Sequence, residues 1–314
     1  MKSILARSLF KSYDGINAVD GIDLDVDEGQ IFGFLGPNGA GKSTVIKMLT
    51  TLIQPTGGEI TVLKINAMKD PLKIRKKIGV VLQQPSYEPT LSVEKSLDKY
   101  GMMWNIDKKT RKDRTEELLT AFNLVEIRKK RNEDLSIGQR RRVQVAREFM
   151  HDMDLLFLDE PTVGLDPTAR RQLLDFLKNK VKEKNLTIFY TTHVLTEAEY
   201  LCDNIAIINK GKIITVDSPN ELKNRFGNEK TIKIHISSNT ETLPNLLENI
   251  QDCKIEFGTG ATITIRSTNS EVVLMNILKI LNQNNIAIDD LSAIPTNLEE
   301  IFLKVVSDSN APDN

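Results

Sequence analysis

The sequence has 314 residues, a formal net charge of −1, 40% hydrophobic residues and 27% charged residues. These totals are typical of a globular protein large enough for two domains, and they exclude a basic field that attracts nucleic acid or an anionic membrane. No apolar run approaches the ~18 residues of a membrane-spanning helix, and the N-terminus lacks the apolar core of a signal peptide. Cys202 and Cys253 match no metal or redox spacing, so we expect reduced thiols in a cytosolic protein.

The N-terminal segment predicts three strands. Residues 4–10 predict a strand followed by a turn at residues 11–15. Residues 22–27 alternate apolar and acidic side chains, as in a half-buried strand of an antiparallel sheet. Residues 30–35 are a short apolar run, which predicts a buried strand leading directly into a glycine-rich loop.

The glycine-rich loop at residues 36–44 fits the phosphate-binding template G-x-x-x-x-G-K-[ST]. Its glycines let backbone N–H groups approach a polyphosphate, while Lys42 reaches the β- and γ-phosphates and the Ser43 hydroxyl binds Mg²⁺. Apolar residues in 45–52 recur with a helical period, which predicts a helix ending near Pro55 and places the phosphates at a helix N-terminus. The predicted nucleotide-binding residues of the loop are Gly36, Pro37, Asn38, Gly39, Ala40, Gly41, Lys42, Ser43 and Thr44.

The middle of the chain continues an α/β pattern. Residues 59–63 and 77–82 predict strands, and the second of these ends at Gln83. Residues 92–131 are charged and helical in character, which predicts a helical insertion in the α/β core. Residues 135–139 then lead into another helix.

Residues 154–161 predict an apolar strand with two acids at its C-terminal end, Asp159 and Glu160, and match the Walker B pattern. We expect Asp159, on a strand beside the P-loop strand, to hold Mg²⁺ through water. Glu160 can poise a water molecule as a general base. A helix at residues 168–184 follows, and the next buried strand ends at His193.

A second unit begins near residue 228 and carries no catalytic constellation. Its predicted order, βαββαβα, suggests a small ferredoxin-like α+β domain. We therefore predict a first domain at 1–227, an accessory domain at 228–306 and a disordered polar tail at 307–314. The predicted elements are strands at 231–237, 254–258, 261–267 and 286–292, and helices at 241–250, 271–284 and 297–307.

The order of these motifs over residues 1–225 resembles the nucleotide-binding subunit of an ATP-binding cassette (ABC) transporter. The resemblance implies that Tyr13 stacks on adenine and that Gln83 contacts Mg²⁺ and water. It also implies that Asp159 binds the metal, that Glu160 is the catalytic glutamate and that His193 touches the γ-phosphate. The fold it implies is a P-loop cassette, in which a mixed sheet core carries an antiparallel β subdomain and a helical subdomain at 92–131.

The resemblance also implies a site shared between two chains. Ser136, Gly138 and Gln139 match the signature motif that faces the ATP of a second cassette, and residues 164–166, ending in Asp166, match the D-loop. Each chain has one P-loop and one signature motif, so the expected assembly is a homodimer or a pair with a similar chain. ATP and Mg²⁺ are the expected ligands.

The chain end is similar to that of ABC-2-type exporter ATPases, the drug-resistance, lipid and sodium export group, through residues 296–303. This implies an ATPase that powers a separate membrane permease from the cytoplasmic face of the membrane, with no nucleic-acid partner. The segment 92–131 is the expected permease contact. Candidate contact residues are Tyr87, Leu91, Val93 and Trp104, and for each of them packing within the helical subdomain is the equally open alternative.

Two other functions remain open at this stage. The basic runs 128–131 and 140–142 allow an ABC-type ATPase that acts on nucleic acid or the ribosome, although such runs are more often solvated helix faces. Near-neutral charge and a single cassette count against it. A P-loop kinase is the third hypothesis, but the signature segment and His193 have no role in one.

The signature motif departs from the usual Leu-Ser-Gly-Gly-Gln, because Ile137 replaces the first glycine. A β-branched residue restricts the backbone and adds bulk at an interface. We therefore expect the natural protein to hydrolyse ATP more slowly than an Ile137→Gly variant. Steady-state ATPase rates of the two proteins test this, and equal rates would contradict it.

Overall fold

The computed structural model describes residues 1–84, 86–226, 230–237, 243–247, 250, 253–258, 261–267, 269–294 and 298–308. The chain forms two compact units, Met1–Ser218 and Pro219–Asn314. The strands of the first unit are β1 (Lys2–Tyr13), β2 (Ile16–Asp27), β3 (Ile31–Leu35), β4 (Gly57–Val62), β5 (Ile65–Asn66), β6 (Ile78–Val81), β7 (Leu155–Asp159), β8 (Thr187–Thr192), β9 (Asn204–Asn209) and β10 (Lys212–Asp217). Its helices are α1 (Lys42–Leu49), α2 (Pro71–Arg75), α3 (Val93–Met103), α4 (Lys108–Ala121), α5 (Ile137–Glu148), α6 (Pro167–Lys184) and α7 (Leu195–Leu201).

The first sheet is antiparallel, with four strands in the order β2-β1-β4-β5. Leu24 and Val26 of β2 are buried while Asp23 and Asp25 are exposed, which confirms the predicted half-buried antiparallel strand. The turn predicted at residues 11–15 is shorter than expected. β1 extends to Tyr13, and only Asp14 and Gly15 adopt left-handed backbone, with φ of 47° and 83°.

The second sheet has six strands in the order β10-β9-β3-β8-β7-β6, and all are parallel except β10. Every residue of β3, β7 and β8 is buried, which explains why these strands appear in the sequence as unbroken apolar runs. The Phe189 ring lies at the centre of this core. Its centroid is 5.8 Å from that of Phe32, 5.3 Å from Phe34 and 5.6 Å from Phe157.

The strand order corrects one expectation about the site. Asp159 ends β7, which was expected beside the P-loop strand β3, but β8 lies between them. The crossover places β8 at the centre of the sheet, paired with β3 on one side and β7 on the other. Residues at the end of β8 are therefore the direct neighbours of both the P-loop and the two acids.

The helix after the P-loop is shorter than predicted. α1 ends at Leu49, and the hydroxyl of Thr50 donates to the carbonyl oxygen of Ile46 at 2.8 Å. Thr51 then adopts a left-handed backbone with φ of 62°, which turns the chain out of the helix. Leu52, expected on the buried stripe, is consequently 50% exposed.

The segment 92–131 is helical, as predicted. It contains α3 and α4, whose first turns are capped by the side chains of Ser92 and Asp107. Val93 is fully buried, so its predicted contact with a membrane partner is wrong, because the side chain packs inside its own subdomain. Tyr87, Leu91 and Trp104 are partly exposed.

The elements of the second unit are α8 (Pro219–Phe226), β11 (Lys230–Ile236), α9 (Leu243–Leu247), β12 (Cys253–Gly258), β13 (Thr262–Ser267), α10 (Ser270–Gln283), β14 (Ile288–Ile294) and α11 (Leu298–Asp308). Its strands have the order β12-β13-β11-β14, and every neighbouring pair among them is antiparallel. Helices α9 and α10 connect the strands in the split βαβ arrangement of the predicted ferredoxin-like fold.

The boundary between the units differs from the predicted one. The units divide after Ser218 rather than after residue 227, because α8 packs against α11 of the second unit. α11 continues through Asp308, past the expected start of the tail, and residues 309–314 lie outside the described part. Among the described helices, none is both long and apolar enough to cross a membrane.

Replacing Phe189 with alanine tests the importance of the central aromatic cluster. The ring is fully buried, so its removal leaves a cavity, and we expect the first unit to lose about 3–5 kcal/mol of unfolding free energy. Fluorescence of Trp104, the only tryptophan, follows denaturation of this unit. The control Ile16→Ala, at a side chain 75% exposed, should cost less than about 1 kcal/mol. A comparable loss in both variants would contradict the prediction.

Candidate active site

The P-loop packs too closely against its surroundings for side chains at two of its glycines. A Cβ atom on Gly36 would lie 2.4 Å from the carbonyl oxygen of Ile208. Gly41 has φ of 107°, and a Cβ atom there would lie 2.4 Å from the carbonyl oxygen of Ala18. Glycine is therefore required at both positions by packing.

Lys42 is the first residue of α1 and is 7% exposed. Its ammonium group donates to the carbonyl oxygens of Gly36 at 2.7 Å and Pro37 at 3.1 Å, so it is held across the loop. Burial lowers the pKa of Lys42, while the carboxylates of Glu160 and Asp159 favour the charged form. The lysine thus already lies in the field of the two acids.

Ser43 and Asp159, both expected to serve as metal ligands, contact each other directly. The Ser43 hydroxyl donates to Oδ2 of Asp159 at 2.9 Å. Oδ1 of the same carboxylate accepts a hydrogen bond of 2.6 Å from the hydroxyl of Thr191. These two donors orient the Asp159 carboxylate next to the first turn of α1.

Glu160 lies between two of the predicted residues. Its Oε2 accepts from the Gln83 amide at 3.2 Å, and its Oε1 lies 3.2 Å from Nδ1 of His193. The Glu160 backbone is left-handed, with φ of 49°, and its N–H donates to the carbonyl oxygen of Thr191 at 3.1 Å and to the hydroxyl of the same residue at 3.2 Å. Strained backbone of this kind is typical of functional sites.

The signature segment begins a helix. Ser136 caps α5 and forms a capping box with Gln139: the serine hydroxyl accepts from the Gln139 N–H at 3.2 Å, and the Gln139 side chain accepts from the Ser136 N–H at 3.0 Å. A Cβ atom on Gly138 would lie 2.4 Å from the carbonyl oxygen of Gly164. Glycine at position 138 therefore lets the signature and the D-loop of the same chain touch.

Ile137, the unusual signature residue, is 67% exposed. Its Cγ2 atom would lie 2.9 Å from a Cβ atom on Gly164, so the isoleucine packs over a glycine with φ of 80°. Within the described residues, no hydrogen bond joins segment 136–139 to the P-loop at 36–44. The hydrogen bonds of the signature side chains Ser136 and Gln139 are instead made within the first turn of α5.

Two further predicted residues lie outside the cluster around Glu160. Asp166 caps α6, where its Oδ1 accepts from the Ala169 N–H at 2.9 Å, and backbone hydrogen bonds lower the pKa of Asp166. Tyr13 ends β1 with its ring 46% exposed, and the Lys11 ammonium lies 5.1 Å from the ring centroid. Asp166 is thus engaged in helix capping, and the Tyr13 ring is accessible.

The sequence analysis missed Thr191 and Glu197. Thr191 contacts both acids, as described above. Glu197 is 2% exposed, and its Oε2 accepts hydrogen bonds from the hydroxyls of Thr162 at 2.9 Å, Tyr190 at 2.7 Å and Thr192 at 2.9 Å. Glu197 therefore joins the segment after Glu160 to the segment before His193.

Thr191 could have been found from the sequence, because it lies two residues before the predicted site residue His193.

The basic run 140–142 is not the solvated helix face that the sequence favoured. Arg141 is 6% exposed and donates to the carbonyl oxygens of Leu82 at 2.8 Å and Gln83 at 2.9 Å. Gln144, one turn later, is equally buried and also contacts this segment. A buried guanidinium needs such partners, and periodicity alone does not reveal them.

The oxygen-bearing side chains at this site suit a metal cation that is bound by phosphate as well as by protein. Among the described residues, no group of three or more acidic, histidine or cysteine side chains is arranged to hold a metal ion. Ser43 and Asp159 supply two adjacent oxygen-bearing side chains at the P-loop. Mg²⁺ usually binds through one or two such ligands together with substrate phosphates, so the residues present fit Mg²⁺ carried by a nucleotide.

Comparison with known proteins identifies the family. Residues 19–163 match the model for the ABC transporter family, and residues 218–306 match the C-terminal domain of DrrA1-3-like ATP-binding proteins. The chain is 33% identical to the linearmycin resistance ATP-binding protein LnrL of Bacillus subtilis, over 96% of this chain and 97% of that protein. It belongs to the ABC transporter ATP-binding proteins. The daunorubicin/doxorubicin resistance ATP-binding protein DrrA of Streptomyces peucetius is 34% identical, over 96% of this chain and 92% of that protein.

Solved structures of ABC cassettes have the same fold as the first unit. An ATP-binding subunit of an ABC transporter superposes with a TM-score of 0.66 at 28% identity, over 71% of this chain and 93% of that chain. A dimeric ATP-binding cassette in a post-hydrolysis state, bound to ADP and Pi, has a TM-score of 0.65 at 25% identity, over 68% and 98% of the two chains. This ABC protein binds and hydrolyses ATP as a transporter subunit of the exporter type, and the nucleic-acid alternative is not supported.

Substituting Thr191 with valine tests the hydroxyl that the sequence analysis missed. Valine keeps the shape but removes the donor to Asp159, and loss of such a supporting partner typically costs about 10–100-fold in activity or metal affinity. We expect kcat for ATP to fall within that range. Thr50→Val, whose buried hydroxyl donates only to α1 carbonyls, is the control and should retain activity. Equal activities of the two variants would contradict the role of Thr191.

Proposed function

We propose that Glu160 is the general base of ATP hydrolysis and that Gln83 and His193 hold it in place. This rests on one observation: both partners lie 3.2 Å from the Glu160 carboxylate, which is itself 6% exposed and next to the P-loop lysine. A base positioned by two side chains can align a water molecule for attack on the γ-phosphate.

Tyr13 is the proposed adenine-stacking residue.

Lys42 and the loop amides at 36–44 are the proposed phosphate ligands, located where α1 begins. A helix N-terminus with free N–H groups favours an anion. The Lys42 ammonium donates to the carbonyl oxygens of Gly36 and Pro37, which places it across the loop, and we propose that it also donates to the β- and γ-phosphates. Ser43, Asp159 and the side-chain oxygen of Gln83 are the proposed ligands of Mg²⁺, which neutralises charge on the phosphates.

The complete site is proposed to form between two copies of the chain. Ser136, Gly138 and Gln139 lie at the start of helix α5, where a helix N-terminus favours an anion, and we propose that they meet a nucleotide held by a second copy. The solved cassette that resembles this protein is itself a dimer. Asp166, exposed at the start of α6, is proposed to lie at the same interface. A homodimer is the simplest assembly.

The helical segment 92–131 is the proposed contact with an integral membrane permease. Met102 and Met103, at the end of α3, are 51% and 67% exposed, and Tyr87 lies near the signature helix through Arg140. Exposed methionines suit a surface that packs against apolar partners. We propose that the protein works at the cytoplasmic face of the membrane, where its permease selects the exported molecule.

Glu160→Gln tests the shared site. Glutamine cannot accept a proton from water, so ATP stays bound, and we expect a stable dimer in ATP and Mg²⁺ by light scattering, together with loss of hydrolysis. Lys42→Ala is the matched control, because it removes phosphate binding and should stay monomeric. A Glu160→Gln protein that is monomeric at saturating ATP, or that hydrolyses ATP normally, would overturn the proposal.

A further inference from the structure

The segment after β6 is held by side chains rather than by a neighbouring strand. Among the described residues, β6 is the edge strand of its sheet and ends at Val81. Arg141 donates to Leu82 at 2.8 Å and to Gln83 at 2.9 Å through its two terminal nitrogens. Gln144 donates to Leu82 and to Gln84, each at 3.4 Å.

The two side chains act as one unit. They lie three residues apart on α5, where residues i and i+3 share a face. Nη1 of Arg141 donates to Oε1 of Gln144 at 3.0 Å, and both residues are 6% exposed. Buried polar groups must be hydrogen-bonded, so movement of segment 82–84 without α5 would take the carbonyl partners from the buried Arg141 guanidinium.

The contact links two parts of the site that are otherwise separate. α5 begins at the signature segment, one turn before Arg141, and the Gln83 held by Arg141 donates its amide to Glu160 at 3.2 Å. Asp159 and Glu160 also favour the charged form of the Arg141 guanidinium, whose pKa is lowered by burial. A continuous series of contacts therefore runs from the signature helix to the proposed base.

We propose that Arg141 and Gln144 are positioning residues that make Gln83, and through it Glu160, follow the signature helix. The proposal rests on the proposed role of Glu160. A bidentate guanidinium can hold two successive carbonyls in register, whereas a lysine ammonium cannot reproduce that fork. Motion of α5 when the signature binds a nucleotide is then passed directly to the side chain that orients the base.

A double-mutant cycle on the full chain tests this. Arg141→Lys should lower kcat for ATP by about tenfold or more while KM changes by less than about twofold, because a displaced Gln83 misaligns the base without removing phosphate ligands. In a Gln83→Ala background, Arg141→Lys should have almost no further effect on kcat. Gln144→Ala should behave in the same way and serves as the second variant if Arg141→Lys does not fold.

Arg114→Lys is the matched control. Arg114 also donates to a carbonyl oxygen, that of Met150 at 2.8 Å, but it does not contact segment 82–84. Arg114→Lys should change kcat for ATP by the same factor in the natural protein and in the Gln83→Ala background. If Arg141→Lys leaves kcat unchanged, or lowers it by the same factor in both backgrounds, the positioning role is overturned. Normal hydrolysis by Glu160→Gln would instead overturn the proposed function, so the two failures are distinguishable.

Discussion

The parallel alignment of β3, β8 and β7 is the constraint on which the site depends. Because the carboxyl ends of parallel strands meet at one edge, the P-loop after β3 and the acids at the end of β7 reach the same place from distant parts of the chain. β8 lies between these strands, and near its end the hydroxyl of Thr191 donates to Asp159 and accepts from the Glu160 N–H. The two acids therefore keep different orientations although they are adjacent in sequence.

Buried polar groups stabilise the segments that leave this edge. One carboxylate oxygen of Glu197 accepts hydrogen bonds from three hydroxyls. Arg141 donates to two carbonyl oxygens of the segment that carries Gln83. Each of these groups would be costly to bury alone, so each makes the surrounding geometry specific. The proposed nucleotide-binding residues are thus supported by a second set of buried side chains, Glu197 and Arg141 among them.

The signature segment shows a different kind of constraint. Gly138 and Gly164 approach so closely that a side chain at Gly138 would collide with the backbone at Gly164, and Ile137 covers Gly164 from the exposed side. The signature and the D-loop are therefore packed directly against each other within one chain, and this packing tolerates no side chain at position 138.

Local chemistry determined much of this protein from sequence alone. Glycine spacing specified the P-loop, apolar runs specified β3, β7 and β8, and the order of elements specified the ferredoxin-like second unit, because each pattern depends on backbone geometry within a few residues. Only the tertiary structure decided that β8 separates β3 from β7, that Thr191 joins the two acids, and that Arg141 is buried against Gln83. These depend on which distant segments meet, and neither residue type nor periodicity carries that information.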